Sequence, residues 1–259
     1  MLIVTAKELN KIQQYEIGRI LAACDAHEKT ALTYPMDDED TLHVIGYDDD
    51  GIPAAVIGMY HISEYAYEAV AFTSPEYRRR GYFTALFRKA CRLLYGLHHR
   101  AVTLTWATDE GSTTAGKIAR RIKARRQSIE LQMALHMDNR YYTQRLADLP
   151  AHEFRFVPAT PTNLVYRVMQ SGRTLAVLSL MLYDSRREAF LYSFEVDRNL
   201  RGHGIGSRIF PHILKLAYEK GYTALSLQVS QANKAAYRIY RHAGMKTITR
   251  LGYYKMTVG

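Results

Sequence analysis

The chain has 259 residues, 47% of them hydrophobic, with 35 Lys and Arg against 25 Asp and Glu for a formal net charge of +10. That length and composition suit two packed domains, and disorder is not the expected reading. Cys24 and Cys91 are the only cysteines, too few for a disulfide framework or a thiolate metal site. No apolar stretch approaches the roughly 18 residues of a membrane span, so a cytoplasmic protein with no metal and no membrane partner is expected.

The opening "MLIVTAKELNK" holds only a brief apolar run. "ELNKIQQYEIGRILAACDAH" then places Leu9, Ile12, Ile17, Ile20 and Leu21 at helical spacing. "TLHVIGY" and "PAAVIGMYHIS" flank "DDDG", an Asp-Gly turn between two strands and hence a hairpin. A third strand, "YAYEAVAFT", leads into the turn and helix of "SPEYRRRGYFTALFRKACRLLYG". A strand "AVTLTW", a helix in "STTAGKIARRIKA" and a strand "QSIELQMALHM" complete the first half.

The second half repeats this order. "TNLVYRVMQSGRTLAVLSLML" reads as a hairpin turning at Ser171-Gly172, "EAFLYSFEV" as the third strand, and "DRNLRGHGIGSRIFPHILKLAYEKG" as turn plus helix. "YTALSLQV", "SQANKAAYRIYRHAG" and "MKTITRLGYYKMTV" follow as strand, helix and closing strand region. Pro150, Pro158 and Pro161 break regular structure between the halves. An internal duplication of this size predicts two similar domains, 1–147 and 148–259, the second without the long opening helix. Residues 1–150 carry 19 basic and 19 acidic side chains and residues 151–259 carry 16 and 6, so the whole positive excess lies in the half expected to attract an anion.

Residues 198–210, "RNLRGHGIGSRIF", carry glycine at 202, 204 and 206. Glycine permits positive φ and close approach of backbone to a ligand. A turn opening a helix presents free N–H groups and the positive end of the helix dipole, a natural phosphate site. A Walker A loop fails for want of a Lys after the glycines, and a dinucleotide fingerprint fails because Ser207 stands where it needs glycine.

The remaining pattern, Arg201, Gly204, Gly206, resembles the pyrophosphate turn of the GNAT superfamily of acetyl-CoA-dependent acetyltransferases. "LQVSQANKAAYRIYRHAGM" is similar to that family's later pattern through Asn233, Ala236, Tyr240 and Gly244, with Met245 where the family commonly has an aromatic residue. The resemblance, carried by residues 160–259, implies an α/β (α+β) fold of two tandem GNAT-like domains. Each is a mixed, mostly antiparallel twisted sheet flanked by helices. It implies acetyl-CoA as cosubstrate, cradled by Arg201, Gly202, His203, Gly204, Ile205, Gly206 and Ser207, with Asn233 bordering the pantetheine arm and the Val196 N–H as oxyanion donor. Arg208 is placed to reach phosphate oxygens as well.

Acyl transfer to an amine needs a proton donor for the leaving thiolate and an acceptor for the amine proton. The resemblance makes Tyr240 the general acid. Glu195, beside Val196, is the candidate base, with Glu188, His203 and a relaying water as alternatives. The acceptor is expected to be a small-molecule or peptide primary amine. Binding or sensing of acyl-CoA without transfer is the alternative, and nucleic acid is not an expected partner because no reader motif is present.

In the first half "SPEYRRRGYF" keeps Arg78 and Gly81 but has Phe83 at the place of Gly206. Ser112, Ala119 and Lys123 fall at the places of Asn233, Tyr240 and Gly244. The first domain is therefore expected to be degenerate and the second to bind acetyl-CoA and catalyse.

Overall fold

The computed structural model describes residues 1–36, 38–112, 114–159 and 165–259. Asp37 of the acidic run, Thr113 of the expected helix and 160–164, which hold Pro161 and the start of the expected hairpin, lie outside the described residues. The chain forms two compact units, Met1–Ile129 with Arg250–Gly259, and Glu130–Thr249.

In the first unit β1 (Leu2–Ala6) precedes α1 (Lys11–His27), β2 (Thr41–Tyr47), β3 (Pro53–Ser63), β4 (Ala66–Thr73), α2 (Tyr82–His98), β5 (Val102–Asp109) and α3 (Ala115–Arg121). A capping box starts α1: Asn10 Oδ1 accepts from Gln13 N–H and Gln13 Oε1 accepts from Asn10 N–H. The expected β2–β3 hairpin forms because the Asp48 carboxylate accepts from the N–H groups of Asp50 and Ile52 while Gly51 takes φ +79°. Strand alternation gives this sheet two apolar faces. Ile17, Ile20 and Cys24 of α1 cover Ile45, Val56, Val70 and Phe72, and Leu86, Ala90 and Leu94 of α2 cover the other face around Val44, Ile57 and Leu104.

β6 (Arg125–His136) runs from the first unit into the second, which continues with α4 (Asn139–Arg145), β7 (Arg155–Pro158), β8 (Val165–Gln170), β9 (Arg173–Tyr183), β10 (Glu188–Val196), α5 (Ile205–Glu219), β11 (Ala224–Ser230) and α6 (Lys234–His242), and β12 (Lys246–Val258) follows. Phe210, Ile213, Leu214 and Ala217 of α5 are buried, as are Leu178, Leu180, Leu191 and Leu227 of the sheet. The short elements β1, α4 and β7 go beyond the sequence expectations.

Strand order is β1-β2-β3-β4-β5-β12 in the first unit and β6-β11-β10-β9-β8-β7 in the second. Each sheet is mixed and mostly antiparallel, as the resemblance implies, with β4–β5 and β10–β11 the parallel pairs. The closing strands are exchanged. Leu251–Val258 of β12 pair with β5 of the first unit, and Glu130–His136 of β6 pair with β11 of the second. The expected linear division at 147/148 follows chain order and takes no account of this exchange.

Candidate active site

In the second unit, β10 and β11 pair in parallel only from Glu188↔Ala224 to Leu191↔Leu227. A bulge between Leu191 and Ser193 then shifts the register of β10, and residues 193–196 pair with β9 alone, opening a fork. Asp197 N–H donates to Leu175 O at 2.8 Å. Antiparallel alternation therefore turns the N–H of Val196, one residue earlier, away from β9 and toward the open side of the fork.

Beyond Val196 the chain makes one turn of 3-10 helix (Arg198–Leu200) and enters the glycine turn. Gly202 and Gly204 take φ +82° and +76°, and a Cβ on either would meet nothing within 4 Å. These two glycines set the bend and leave open space above it. Gly206 acts differently: a Cβ there would lie 3.0 Å from Cδ1 of Ile239 on α6 and 3.5 Å from Cγ2 of Val196. It brings α5 close to α6 and the strand end.

Arg201 Nε donates to Val196 O at 3.0 Å and ties the turn to the strand. The His203 ring donates from Nδ1 to Arg201 O at 2.9 Å. Gly204, the N-cap of α5, supplies no side-chain acceptor, and the first intrahelical bond is Arg208 N–H to Gly204 O. The N–H groups of Ile205, Gly206 and Ser207 are thus left at the helix end, where the dipole favours an anion.

Tyr240 on α6 is 6% exposed and packs on Phe210 at 4.9 Å between ring centroids. Burial pushes its pKa up to about 12, so the phenol keeps its proton at neutral pH. Asn233 is the N-cap of α6, its Oδ1 accepting from Ala236 N–H at 3.1 Å; the side-chain amide still offers donors.

The remaining candidates are placed less as expected. Glu195 is exposed and lies opposite Val177. Alternation puts it on the other face of β10 from Phe194 and Val196, which meet Gly206. Glu188 begins β10, about 26 Å of strand from Val196, and bonds Ser226. Arg208 is held by Glu153, with Nη2–Oε1 at 2.7 Å, and the other Glu153 oxygen meets Nε2 of His212 at 3.2 Å. That clamp lowers the pKa of Glu153, chiefly through the Arg208 hydrogen bond, and directs Arg208 away from a phosphate role. Among the described residues no group of three metal-ligating side chains occurs, and no helix is long and apolar enough to cross a membrane.

The first unit contains the same fork and turn. Parallel pairing of β4 with β5 ends at Ala69↔Trp106, Arg78 Nε donates to Thr73 O at 3.2 Å, and Gly81 at φ +90° is the N-cap of α2. Ala119 stands where Tyr240 does: Ala124 N–H donates to Ala119 O as Met245 N–H donates to Tyr240 O, both at 3.0 Å.

The sequence matches the acetyltransferase (GNAT) family twice, over residues 13–120 and 131–245. The chain belongs to the GNAT acetyltransferase family. Membership implies acyl transfer from an acyl-CoA, and the double match fits the duplicated fork and turn. Among solved structures, this GNAT protein is similar to a GCN5-related N-acetyltransferase from Sphaerobacter thermophilus (TM-score 0.77, 17% identity, 99% of this chain and 96% of that one). A tandem GNAT protein from the clavulanic acid biosynthesis pathway gives TM-score 0.69 at 14% identity over 100% and 99% of the two chains. An acetyltransferase from the GNAT family of Colwellia psychrerythraea gives TM-score 0.58 at 14% identity over 99% and 100%. At these identities the likeness is one of fold. No curated protein matches the sequence.

Proposed function

We propose that the second unit, within 148–259, transfers an acetyl group from acetyl-CoA directly to a primary amine of a small molecule or peptide. The observation that carries this reading is the uncapped N-terminus of α5, with Gly202 and Gly204 leaving open space over its N–H groups. Acetyl-CoA supplies the thioester, whose acetyl carbon passes to the amine nitrogen as the C–S bond breaks. Arg201 and the backbone from Gly202 to Ser207 would hold the diphosphate. Asn233 would donate to the pantetheine arm, and Val196 N–H would donate to the carbonyl oxygen as it gains charge. Tyr240 would give its proton to the departing thiolate. Glu195, directly or through a water, would take the proton from the amine nitrogen.

Incubation of the chain with acetyl-CoA and a panel of primary amines, following free thiol, tests the reading. Amine-dependent thiol release that Gly204→Val abolishes is expected. Binding of acetyl-CoA with no thiol release for any amine class would instead favour the non-catalytic reading. The proposed chemistry needs no thiol nucleophile, since Cys24 and Cys91 both belong to the first unit.

A further inference from the structure

The two turns give the two sheets a common register. Arg78 Nε donates to Thr73 O as Arg201 Nε donates to Val196 O, so Thr73 and Val196 are equivalent, and they pair with Ala55 and Ala176. The next row across the strands is Ile45–Val56–Phe72 on β2, β3 and β4 of the first unit. In the second it is Arg167–Val177–Glu195 on β8, β9 and β10. Ile45, Val56 and Phe72 are buried beneath Ile17, Ile20 and Cys24 of α1. In the second unit α4 lies elsewhere, with Tyr142 stacked on Tyr218 of α5, and the row is open: Val177 is 39% exposed, and Arg167 and Glu195 are exposed. A valine holds the centre of both rows, but in the second unit a charge of each sign flanks it. Neither charge makes an ion pair among the described residues.

The row also lies where an acceptor has to arrive. Phe194 and Val196 meet Gly206, and Ile239 of α6 meets it too, so α5, α6 and the glycine turn occupy one side of the fork. Alternation places Glu195 on the other side. An amine reaching a thioester in the fork therefore comes over the face that carries the row. With its nitrogen beside Glu195, the rest of the molecule lies over Val177 toward Arg167. A guanidinium there is suited to a carboxylate, which it holds through two parallel hydrogen bonds. Two strand spacings put the Cα atoms of Arg167 and Glu195 about 10 Å apart. An extended dipeptide spans about 7 Å and a single amino acid about half of that. The dipeptide length is the one that reaches both charges.

We propose that Arg167 is a specificity-determining residue of the second unit, binding a carboxylate at the far end of the acceptor. The acceptor is then an amine of about dipeptide length with a free acid, laid across β8, β9 and β10 over Val177. This rests on the reading that the second unit transfers an acetyl group to an amine. The first unit has no counterpart, because Ile45 and Phe72 are apolar and sealed under α1.

Thiol release from acetyl-CoA by the full chain is followed with alanyl-alanine, its C-terminal amide and alanine. The dipeptide acid should exceed its amide about tenfold in kcat/KM, through KM, since a contact made equally in ground and transition states leaves kcat alone. Alanine should be the poorer of the two acids. Arg167→Gln should remove the preference by raising KM for the acid while leaving the amide unchanged, and Arg167→Lys should restore part of it. A merely structural arginine would move acid and amide together. Equal use of acid and amide by the wild-type chain, alanine as good as the dipeptide, or a preference that survives Arg167→Gln would overturn the proposal and leave acyl transfer standing. Absence of thiol release with every amine would defeat the transfer reading instead. Calorimetry with alanyl-alanine in the presence of desulfo-coenzyme A then decides the row by itself: binding that Arg167→Gln abolishes upholds it, and no binding, or binding indifferent to Arg167→Gln, overturns it.

Discussion

Lys123 and Gly244 end their helices with the same backbone turn, φ +57° and +94°, each donating its N–H to an arginine carbonyl, Arg120 at 3.1 Å and Arg241 at 3.0 Å. The geometry is shared, and only one residue suits it. Left-handed φ costs a side-chain-bearing residue about 1–2 kcal/mol, partly offset by the backbone entropy of glycine. Lys123→Gly should therefore stabilise the chain by up to about 1 kcal/mol and Gly244→Ala should destabilise it by about 1 kcal/mol. Urea unfolding checks both, and a destabilised Lys123→Gly would contradict the argument.

Gly204→Val places a branched side chain in the open space above the α5 N-terminus. Acetyl-CoA affinity, measured by calorimetry, should fall at least tenfold for the second-unit site. Circular dichroism at the assay temperature distinguishes this from unfolding, since φ +76° itself strains valine.

Tyr240→Phe deletes the hydroxyl while keeping the ring against Phe210. Turnover should drop by about 10²–10⁴-fold with acetyl-CoA affinity nearly intact. Full turnover in this variant would make the tyrosine a packing residue.

The same substitution tests the electrostatics of the buried phenol. Its folded pKa, about 12, stands above the ordinary value of 10. The linked stability is fully present below pH 10 and is lost as pH rises toward about 12, because the unfolded chain ionises first. Roughly 2–3 kcal/mol of wild-type stability should disappear across that window and be retained by Tyr240→Phe. Equal alkaline losses in the two proteins would show that Tyr240 is solvated in the folded chain.

Deleting Arg250–Gly259 removes the strand that pairs with β5 and the Tyr254 hydroxyl that donates to Glu110 at 2.7 Å. Tyr254 and Val258 also belong to the first unit's core. The shortened chain should lose cooperative unfolding and gain protease cleavage within residues 1–129, mapped by mass spectrometry. Protection equal to wild type would remove β12 from the structural argument.

The sequence made the site of the second unit legible where the information is local. Glycines at 202 and 204 announce their positive φ, and Asn233 announces a helix start. In the first unit Arg78 and Gly81 marked the turn, but the positive φ of Arg79 and Lys123 was hidden, because their residue types disfavour it. Neither the exposure of Glu195 nor the pairing of Arg208 with Glu153 could be read from spacing, since each depends on a neighbouring strand or on a segment 55 residues away. Trp106 lies in the expected strand "AVTLTW", and nothing in that pattern tells that its N–H is buried without a hydrogen-bond partner among the described residues. The exchange of β6 and β12 left no mark either: alternation identifies a strand, while its neighbour is fixed by contacts far along the chain.

Domains generally fold as they leave the ribosome, the N-terminal one first. Here β5 receives its β12 partner only once residues 251–258 are made. Until then the nascent β5 exposes an unpaired strand edge, a template for wrong partners. Truncation of either half of the chain would also take a strand from the sheet of the other unit.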